Sequence, residues 1–276
     1  MKLQEAGEGS GTQVWNKRSM RIALLASGSE GNACLVETED ARVLIDAGLS
    51  CRETVSRLKS FGVEPQGLDA LIITHEHSDH IKGAGPIARR YKVPVYANAG
   101  TFEKGSCRLG KLPDRRVVNT GESIDVRGLR IETFTKCHDA ADPMGLVLSK
   151  NGAKVGFATD LGRSTRLVED RLSKCQALIL EFNYDKVMLA TGPYPPFLKK
   201  RINGPDGHLS NVQAGELLRS LAHSELRFVV LAHLSKKNNE VEKAYAEAEN
   251  ALDSIGSQDT VVLVSGQDAA GPLLEL

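Results

Sequence analysis

Three histidines and one aspartate lie within six residues of one another. They follow the largely apolar run 68–73 and are His75, His77, Asp79 and His80. Neutral imidazole nitrogens and carboxylate oxygens are ligands that Zn²⁺ and related divalent ions accept. A polar turn that happens to contain several histidines is the alternative, but so many good ligands at one strand end are hard to explain in that way. The cluster therefore predicts a metal site.

Two ions can share this cluster if other segments supply more ligands. Side chains two residues apart on an extended segment point the same way, so His75 and His77 can bind one ion. Asp79 and His80 lie past the strand, at the turn into the next helix, where they can reach a second ion. Neither pair completes a four-coordinate shell. Further ligands are therefore expected from the ends of other strands.

Three remote residues have the required chemistry and the required position. They are His138, Asp160 and His233, and each stands where a predicted buried strand emerges. Taken singly, each residue is more commonly an ordinary surface or hydrogen-bonded group. Taken together with a histidine cluster that lacks partners, they are predicted to complete the metal site.

Composition limits the class of protein. The chain has 276 residues, of which 41% are hydrophobic and 25% charged, as in ordinary globular proteins. Its 35 basic residues balance its 35 acidic residues, so overall charge predicts no polyanion partner and any nucleic-acid surface must be local. The five cysteines form no Cys-x-x-Cys pair, which favours a reducing compartment. No run suits a membrane helix or signal peptide, and a cytoplasmic protein is predicted.

Hydrophobic patterning predicts one α/β domain. Residues 1–19 are polar and Gly-rich, which indicates a disordered leader, and residues 20–276 are predicted to form a single domain. Strand patterns interleave with amphipathic helices in two roughly similar halves. This arrangement favours two sheets covered by helices on their outer faces.

Several local segments carry definite expectations. Residues 27–32 predict a plain hairpin turn rather than a phosphate loop, because a strand follows them. Residues 100–112 predict one helix, whereas residues 191–208, rich in glycine and proline, predict a long irregular loop near an active site.

Helix caps and the last strand are also predicted. Ser210 and Gln213 have the spacing of a capping box at the start of a helix. Asn239 with Glu242 is predicted to cap the last helix, and residues 260–264 are predicted to be the strand that closes the chain.

The ligand pattern resembles the metallo-β-lactamase superfamily from residue 21 onward. The resemblance rests on His75-x-His77-x-Asp79-His80 after an apolar strand, the upstream segment 44–48, and His138, Asp160 and His233 in that order. It implies a four-layer αβ/βα sandwich with two metal ions at one edge. The implied ligands are His75, His77 and His138 for one ion, Asp79, His80 and His233 for the other, and Asp160 as the bridge.

The resemblance also assigns a supporting role to Asp46. It implies that Asp46 orients the histidine loop, as groups behind metal ligands generally do. An ordinary aspartate in a turn at a strand end is the alternative interpretation.

A finer resemblance is to the YycJ/WalJ-type branch of that superfamily, which is related to ribonuclease Z-like nucleases. It rests on five segments: 27–32, 74–83, 138–143, 207–211 and 233–239. Members of that branch are associated with DNA exonuclease activity. By analogy with ribonuclease Z, Glu181 and His208 are expected to form a pair that protonates the leaving oxygen. A long Gly/Pro arm that would grip tRNA is not evident in this sequence.

The implied chemistry uses two divalent ions, with Zn²⁺, Mn²⁺ or Fe²⁺ compatible with the ligands. A metal-bound hydroxide would attack the phosphorus, and Asp79 would also serve as general base. Basic residues near His208 and His233 could hold DNA phosphates, with ordinary solvated side chains as the alternative. These residues are Lys199, Lys200, Arg201, Lys236 and Lys237. An aromatic content of 5% gives no sign of an extended base-stacking platform.

The predicted function is a metal-dependent hydrolase, specifically a phosphodiesterase or exonuclease acting on DNA. A small-molecule hydrolase that opens a cyclic phosphodiester, lactone or thioester is the first alternative, because fold alone cannot separate the two. A non-catalytic metal-binding partner in signalling is the second. The full ligand set and the expected pair of Glu181 with His208 argue against a purely structural site.

Overall fold

A computed structural model of the protein describes residues 20–257 and 259–276. The predicted leader, residues 1–19, lies outside the described residues. The strands are β1 (Arg21–Ala26), β2 (Ala33–Glu37), β3 (Arg42–Ile45), β4 (Ala70–Ile72), β5 (Val95–Ala97), β6 (Arg115–Val117), β7 (Ser123–Val126), β8 (Leu129–Thr135), β9 (Met144–Lys150), β10 (Ala153–Ala158), β11 (Ala177–Glu181), β12 (Phe228–Ala232), β13 (Val261–Val264) and β14 (Leu273–Glu275). The helices are α1 (Cys51–Ser60), α2 (Ser78–Ile81), α3 (Ala84–Tyr91), α4 (Ala99–Lys104), α5 (Ser106–Leu109), α6 (Arg166–Leu172), α7 (Lys186–Thr191), α8 (Pro196–Ile202), α9 (Asn211–Leu221) and α10 (Val241–Asp253).

The strands form two seven-stranded mixed sheets. The first has the order β14-β1-β2-β3-β4-β5-β6, and the second has the order β13-β12-β11-β10-β9-β8-β7. Strands β3 to β6 run parallel in the first sheet, and β10 to β13 run parallel in the second. Each parallel run is built from strand–helix crossovers, which place helices on the outer face of the sheet.

The chain is layered as helices, sheet, sheet and helices. The inner faces of the two sheets share one apolar core, to which Ile45, Ile72, Leu146 and Ile179 contribute. A second core lies under the helices of the first sheet, and a third lies under α6, α9 and α10 of the second. These layers confirm the predicted four-layer αβ/βα sandwich. In the described part of the chain, no helix has the length and apolarity needed to cross a membrane.

Two expectations about local structure were wrong. Residues 191–208 are not one irregular loop, because α8 occupies Pro196–Ile202. Proline suits the first turn of a helix, where its missing N–H has no partner to lose, so the proline-rich pattern marked a helix start. Residues 100–112 do not form one helix either, since α4 ends at Lys104 and α5 begins at Ser106, with Gly105 between them.

The expected cap of the last helix and the expected last strand also need correction. The helix α10 has Glu240 as its N-cap, without a side-chain cap bond. Asn239 instead donates from Nδ2 to the backbone oxygens of Phe182 and Asn183. The chain does not end at β13, because β14 pairs with β1. The capping box of Ser210 and Gln213 is confirmed.

The topology brings the carboxyl ends of several strands to one edge. In the first sheet these are the ends of β3 and β4, and in the second they are the ends of β8, β10, β11 and β12. Ligands bind beyond the carboxyl ends of parallel strands in open α/β sheets. The predicted site residues follow these strand ends.

Candidate metal centre

The structure brings all seven predicted metal ligands together. One group consists of His75, His77 and His138, and a second consists of Asp79, His80, Asp160 and His233. Within each group the potential ligand atoms all lie within 4.8 Å of one another. Asp160 connects the groups, since its Oδ1 lies 3.9 Å from His138 Nε2 while its Oδ2 lies 3.2 Å from His80 Nε2.

Left-handed backbone conformations turn three of the strand ends towards the site. Asp46, Asp160 and His233 have φ angles of 56°, 53° and 57°, in the region that residues other than glycine seldom adopt. Each such residue costs on the order of 1–3 kcal/mol and persists where the surrounding contacts hold it. The left-handed backbone conformation therefore directs the side chain of Asp46 in the first sheet, and those of Asp160 and His233 in the second, towards the site.

Hydrogen bonds in the first sheet fix the orientation of two histidine rings. His80 Nδ1 donates to Asp46 Oδ2 at 2.7 Å. Thr74 Oγ1 donates a hydrogen bond to Asp46 Oδ2 at 2.8 Å. Because a hydroxyl group has only one proton, Thr74 Oγ1 accepts the hydrogen bond from His75 Nδ1 at 3.0 Å. Both rings therefore carry a proton on Nδ1 and turn an Nε2 lone pair inward.

Acceptors in the second sheet fix two more rings in the same way. His138 Nδ1 donates to Gly207 O at 3.1 Å, and His233 Nδ1 donates to Glu181 Oε1 at 2.8 Å. His77 Nδ1 lies 3.2 Å from both His75 Nε2 and His138 Nε2. Three nitrogens bound tetrahedrally to Zn²⁺ are separated by about 3.3 Å, which follows from the usual Zn–N distance. The first group thus has the spacing of ligands around one ion.

The centre of the second group contains buried atoms that need a cation. Asp160 Oδ2 and His233 Nε2 are buried and have no hydrogen-bond partner among the described residues. Asp160 Oδ2 lies 3.2 Å from His80 Nε2, and His233 Nε2 lies 3.7 Å from Asp79 Oδ2. Each contact sets a ring lone pair against a carboxylate oxygen, which is unfavourable unless positive charge lies between them. The donor sets fit divalent ions.

The raised pKa values of His233 and His80 also show that the second group favours positive charge. Burial by itself lowers the pKa of His233, but Asp160 and Asp79 raise it to about 10. Burial also opposes a charge on His80, yet the carboxylates of Asp160 and Asp46 raise its pKa well above the ordinary value. A proton on either ring takes the place that a cation would fill, so metal binding should release protons.

Glu181, the last residue of β11, accepts hydrogen bonds from several segments at the edge of the second sheet. This buried carboxylate accepts five hydrogen bonds, from Asp160 N at 3.1 Å, Leu161 N at 3.0 Å, Leu209 N at 2.9 Å, His208 Nδ1 at 2.9 Å and His233 Nδ1 at 2.8 Å. Burial raises its pKa, but the charge and hydrogen bond of His208 and the hydrogen bond of His233 outweigh burial and lower it to about 2. Glu181 therefore acts as an ionised acceptor for side chains, and its oxygens are already occupied by donors.

His208 lies between Glu181 and open space. Its Nδ1 donates to Glu181, its side chain is 17% exposed, and it lines the cleft above the ligands. A backbone hydrogen bond also fixes the position of His208, because His208 N donates to Ile202 O at 2.9 Å. Gly207 permits this approach, since a Cβ there would lie 2.2 Å from Ile202 O. The remaining ring nitrogen, Nε2, is available for a proton transfer.

Several site residues were missed by the sequence analysis. Asn32, in the turn that was predicted to be a plain hairpin, donates from Nδ2 to Asp79 Oδ2 at 3.2 Å. Asn183 donates to the backbone oxygen of His233 at 2.8 Å, and Ser27 Oγ accepts from His233 N at 2.7 Å. Polar residues at strand ends are common, so their type and position gave no distinct signal.

Lys136 is the missed residue with the largest electrostatic effect. It is 4% exposed, and Nζ donates to Thr159 O, immediately before Asp160. Burial lowers the pKa of Lys136, which the carboxylates of Asp160 and Asp46 oppose. The ammonium group thus lies behind the ligands and offsets part of their negative charge.

Comparisons with known proteins agree with this geometry. The sequence profile of the β-lactamase superfamily domain matches residues 41–234. The exodeoxyribonuclease YycJ of Bacillus anthracis is 34% identical over 239 residues, which cover 86% of this chain and 90% of that protein. The chain belongs to the β-lactamase superfamily.

A second relative in this superfamily is matched over nearly its whole length. The exodeoxyribonuclease WalJ of Streptococcus pneumoniae (serotype 2, strain D39) is 34% identical over 263 residues, which cover 93% of this chain and 98% of that protein. The predicted resemblance to the YycJ/WalJ-type branch is therefore confirmed. Membership of the β-lactamase superfamily, together with these two relatives, also confirms the prediction of a metal-dependent hydrolase.

Solved structures confirm the metallo-β-lactamase fold. The metallo-β-lactamase-fold protein YhfI of Bacillus subtilis has a TM-score of 0.73 at 17% identity, covering 94% of this chain and 100% of that one. Human tRNase Z, short form, has a TM-score of 0.62 at 14% identity, covering 91% of this chain and 98% of that one.

A cleft of about 240 Å³ opens over the two ligand groups. His77, Asp79, His208 and His233 form its floor. Part of its wall is formed by Tyr194, Leu198, Arg201 and Ile202. Arg201, one of the basic residues predicted to bind phosphate, lies in this wall, where it pairs with Asp139.

The other predicted phosphate ligands occupy different environments. Lys199 and Lys200 line a separate groove on the far side of α8. Lys236 forms ion pairs with Glu30 at 3.3 Å and Asp268 at 2.8 Å. Lys237 Nζ lies 5.8 Å from the centre of the Tyr194 ring. The five residues therefore do not form one continuous patch.

Metal stoichiometry tests the two ligand groups. The wild-type protein is expected to retain two divalent ions per chain, and His233→Ala is expected to retain one because the second group loses a ring nitrogen. Inductively coupled plasma mass spectrometry after gel filtration gives the number of metal ions bound per chain. His223→Ala is the matched control, since His223 contacts Cys175 O outside both groups. A single ion in the wild type, or two in His233→Ala, would contradict the assignment.

Unfolding of the metal-free protein tests Lys136. Lys136→Met removes the buried donor to Thr159 O together with its positive charge, and the free energy of unfolding should fall by about 1–3 kcal/mol, the cost of leaving a buried polar group without its partner. Urea unfolding measures this change. Lys104→Met, at an exposed position in α4, should change the free energy by less than about 0.5 kcal/mol. Equal stability of the two variants would show that Lys136 does not offset the carboxylate charge.

Proposed function

We propose that the protein is a metal-dependent exodeoxyribonuclease, which hydrolyses phosphodiester bonds at the ends of DNA strands. Two relatives that carry this name are similar over most of both chains. The proposal also rests on a structural observation: Glu181 binds a predicted metal ligand, His233, and a potential proton donor, His208, through the same oxygen.

A proton donor is what the proposed reaction needs. A sugar alkoxide is a poor leaving group, so its departure requires a proton at the moment of bond cleavage. An activated ester or a thioester has no such need. The pairing of Glu181 with His208 at the cleft therefore favours a phosphodiester substrate over a small activated ester.

The two ligand groups would hold two divalent ions, Zn²⁺, Mn²⁺ or Fe²⁺, with Asp160 between them. Ions bound there would neutralise charge on the phosphoryl oxygens and make water more acidic. Asp46 would keep His80, and through Thr74 also His75, in the required tautomer, and Glu181 would do the same for His233.

The protein's own groups would move the protons. Asp79 lines the cleft, where its carboxylate would accept a proton from the attacking water. His208 Nε2 would donate a proton to the leaving sugar oxygen, while Glu181 holds Nδ1 and supports the positive charge. Arg201, in the cleft wall, is positioned to contact a phosphate.

We further propose that residues 20–276 form a single hydrolase domain, because both sheets contribute ligands to one centre. All five cysteines are free thiols, which supports a cytoplasmic location.

Shortening of end-labelled DNA tests the function directly. Metal-loaded wild-type protein should shorten a labelled strand stepwise, and Asp79→Ala should lose this activity because it lacks a ligand and a proton acceptor. Gel electrophoresis of timed samples resolves the steps. Intact DNA with Zn²⁺, Mn²⁺ and Fe²⁺ alike, together with turnover of a cyclic phosphodiester or a thioester, would replace the proposal with a small-molecule hydrolase.

Two substrates that differ in their leaving group test the role of His208. His208→Ala should slow DNA cleavage by about 100-fold or more, the usual contribution of a general acid. It should slow cleavage of a nitrophenyl phosphodiester much less, since nitrophenolate leaves without a proton. His223→Ala serves as the control for both substrates. Equal losses on both substrates would mean that His208 does not protonate the leaving group.

A further inference from the structure

The helical hairpin formed by α7 and α8 lines two different cavities. One side of α8 contributes Leu198, Arg201 and Ile202 to the wall of the cleft. The opposite side faces a separate groove between the two helices. Residues on neighbouring turns of one short helix thus line both the cleft over the predicted metal centre and this second groove.

The groove between the helices is positively charged. It has a volume of about 550 Å³ and is lined by Lys186, Lys199 and Lys200 together with Leu189, Ala190 and Asn203. No acidic side chain is among the described residues that line it. Lys199 Nζ donates to Ala190 O at 2.7 Å, which holds this ammonium at the edge of the groove. Three cations without a lining carboxylate suit a chain of phosphates.

Two aromatic rings, those of Tyr194 and Phe197, lie on the segment that leads into and begins α8. Phe197, on the first turn of α8, is 75% exposed, which leaves most of a large apolar ring in water. Pro195 and Pro196 precede it and restrict the backbone that presents it. Tyr194 lines the cleft on the same connection. Phe197 precedes Lys200 by about one turn of α8. Exposed aromatic rings combined with a positively charged groove are the means by which proteins hold single-stranded nucleic acid.

We propose that the hairpin of α7 and α8 holds the single-stranded end of a DNA substrate, with bases stacked on Phe197 and phosphates in the groove of Lys186, Lys199 and Lys200. This inference rests on the proposed function and specifies its substrate. Bases inside a duplex are covered on both faces by their neighbours, so only an unpaired base can stack on Phe197. The strand then passes Tyr194 and Arg201 to reach the cleft.

Two variants test the two kinds of interaction separately. Phe197→Ala should weaken binding of a single-stranded phosphorothioate oligonucleotide about tenfold, because one base no longer has a ring to stack on. It should leave the salt dependence of the dissociation constant unchanged. The triple change of Lys186, Lys199 and Lys200 to Gln should weaken binding at low salt. It should also reduce the slope of log Kd against log salt by about 0.7 for each phosphate that the protein no longer neutralises.

Fluorescence anisotropy of the metal-loaded, full-length protein measures both effects. The control is the triple change of Lys104, Lys111 and Lys243 to Gln, which removes three exposed positive charges outside the groove. This control should retain the wild-type affinity and salt slope. Metal content and thermal unfolding of every variant establish that the fold and the metal centre are intact.

Three outcomes would overturn the inference. Wild-type affinity in both hairpin variants, with DNA shortening by the wild type, would remove the hairpin from substrate binding and leave the proposed function standing. A loss of duplex binding as large as the loss of single-strand binding, with no effect of Phe197→Ala, would indicate contact with a duplex backbone. Binding of polyglutamate as tight as that of DNA would indicate an acidic protein partner. Failure of the wild type to bind or shorten any DNA would instead refute the proposed function.

Discussion

The part of the site that lies on the second sheet depends on one buried carboxylate, that of Glu181. An ionised carboxylate inside a protein is strongly unfavourable unless donors surround it. Glu181 has five donors, and they come from the ends of β10 and β12 and from the segment before α9. These three segments are far apart in sequence, so the need to satisfy one charge fixes their relative positions.

Asp46 plays the corresponding part in the first sheet. It accepts from Thr74 N, Thr74 Oγ1 and His80 Nδ1, and thereby orients both His75 and His80. Each sheet thus orients two histidines with one buried carboxylate, His75 and His80 with Asp46 and His208 and His233 with Glu181. The shared apolar core fixes the distance between the sheets, which lets Asp160 of the second sheet reach His80 of the first. Packing and polar networks are therefore both required for one geometry.

The sequence predicted which side chains come together at the site better than it predicted the surface around them. The spacing of His75, His77, Asp79 and His80 has few alternative explanations, and Asp160 and His233 stand at strand ends that buried apolar runs define clearly. Lys136 could not be recognised, because a lysine after a strand normally points to solvent. The helix α8 was missed because proline marks a helix start as well as a loop. The groove of Lys186 depends on how α7 and α8 pack, which no local pattern encodes.

The central claim is that Glu181 couples metal binding to proton donation, and the substitution Glu181→Gln tests it most directly. Glutamine keeps the shape but replaces one accepting oxygen with an NH₂ group, which leaves buried donors without acceptors at about 1–3 kcal/mol each. Metal titration and DNA cleavage should be measured on the same folded sample. We expect weaker binding of one of the two ions together with slower cleavage. Wild-type metal affinity and wild-type cleavage in Glu181→Gln would contradict the account.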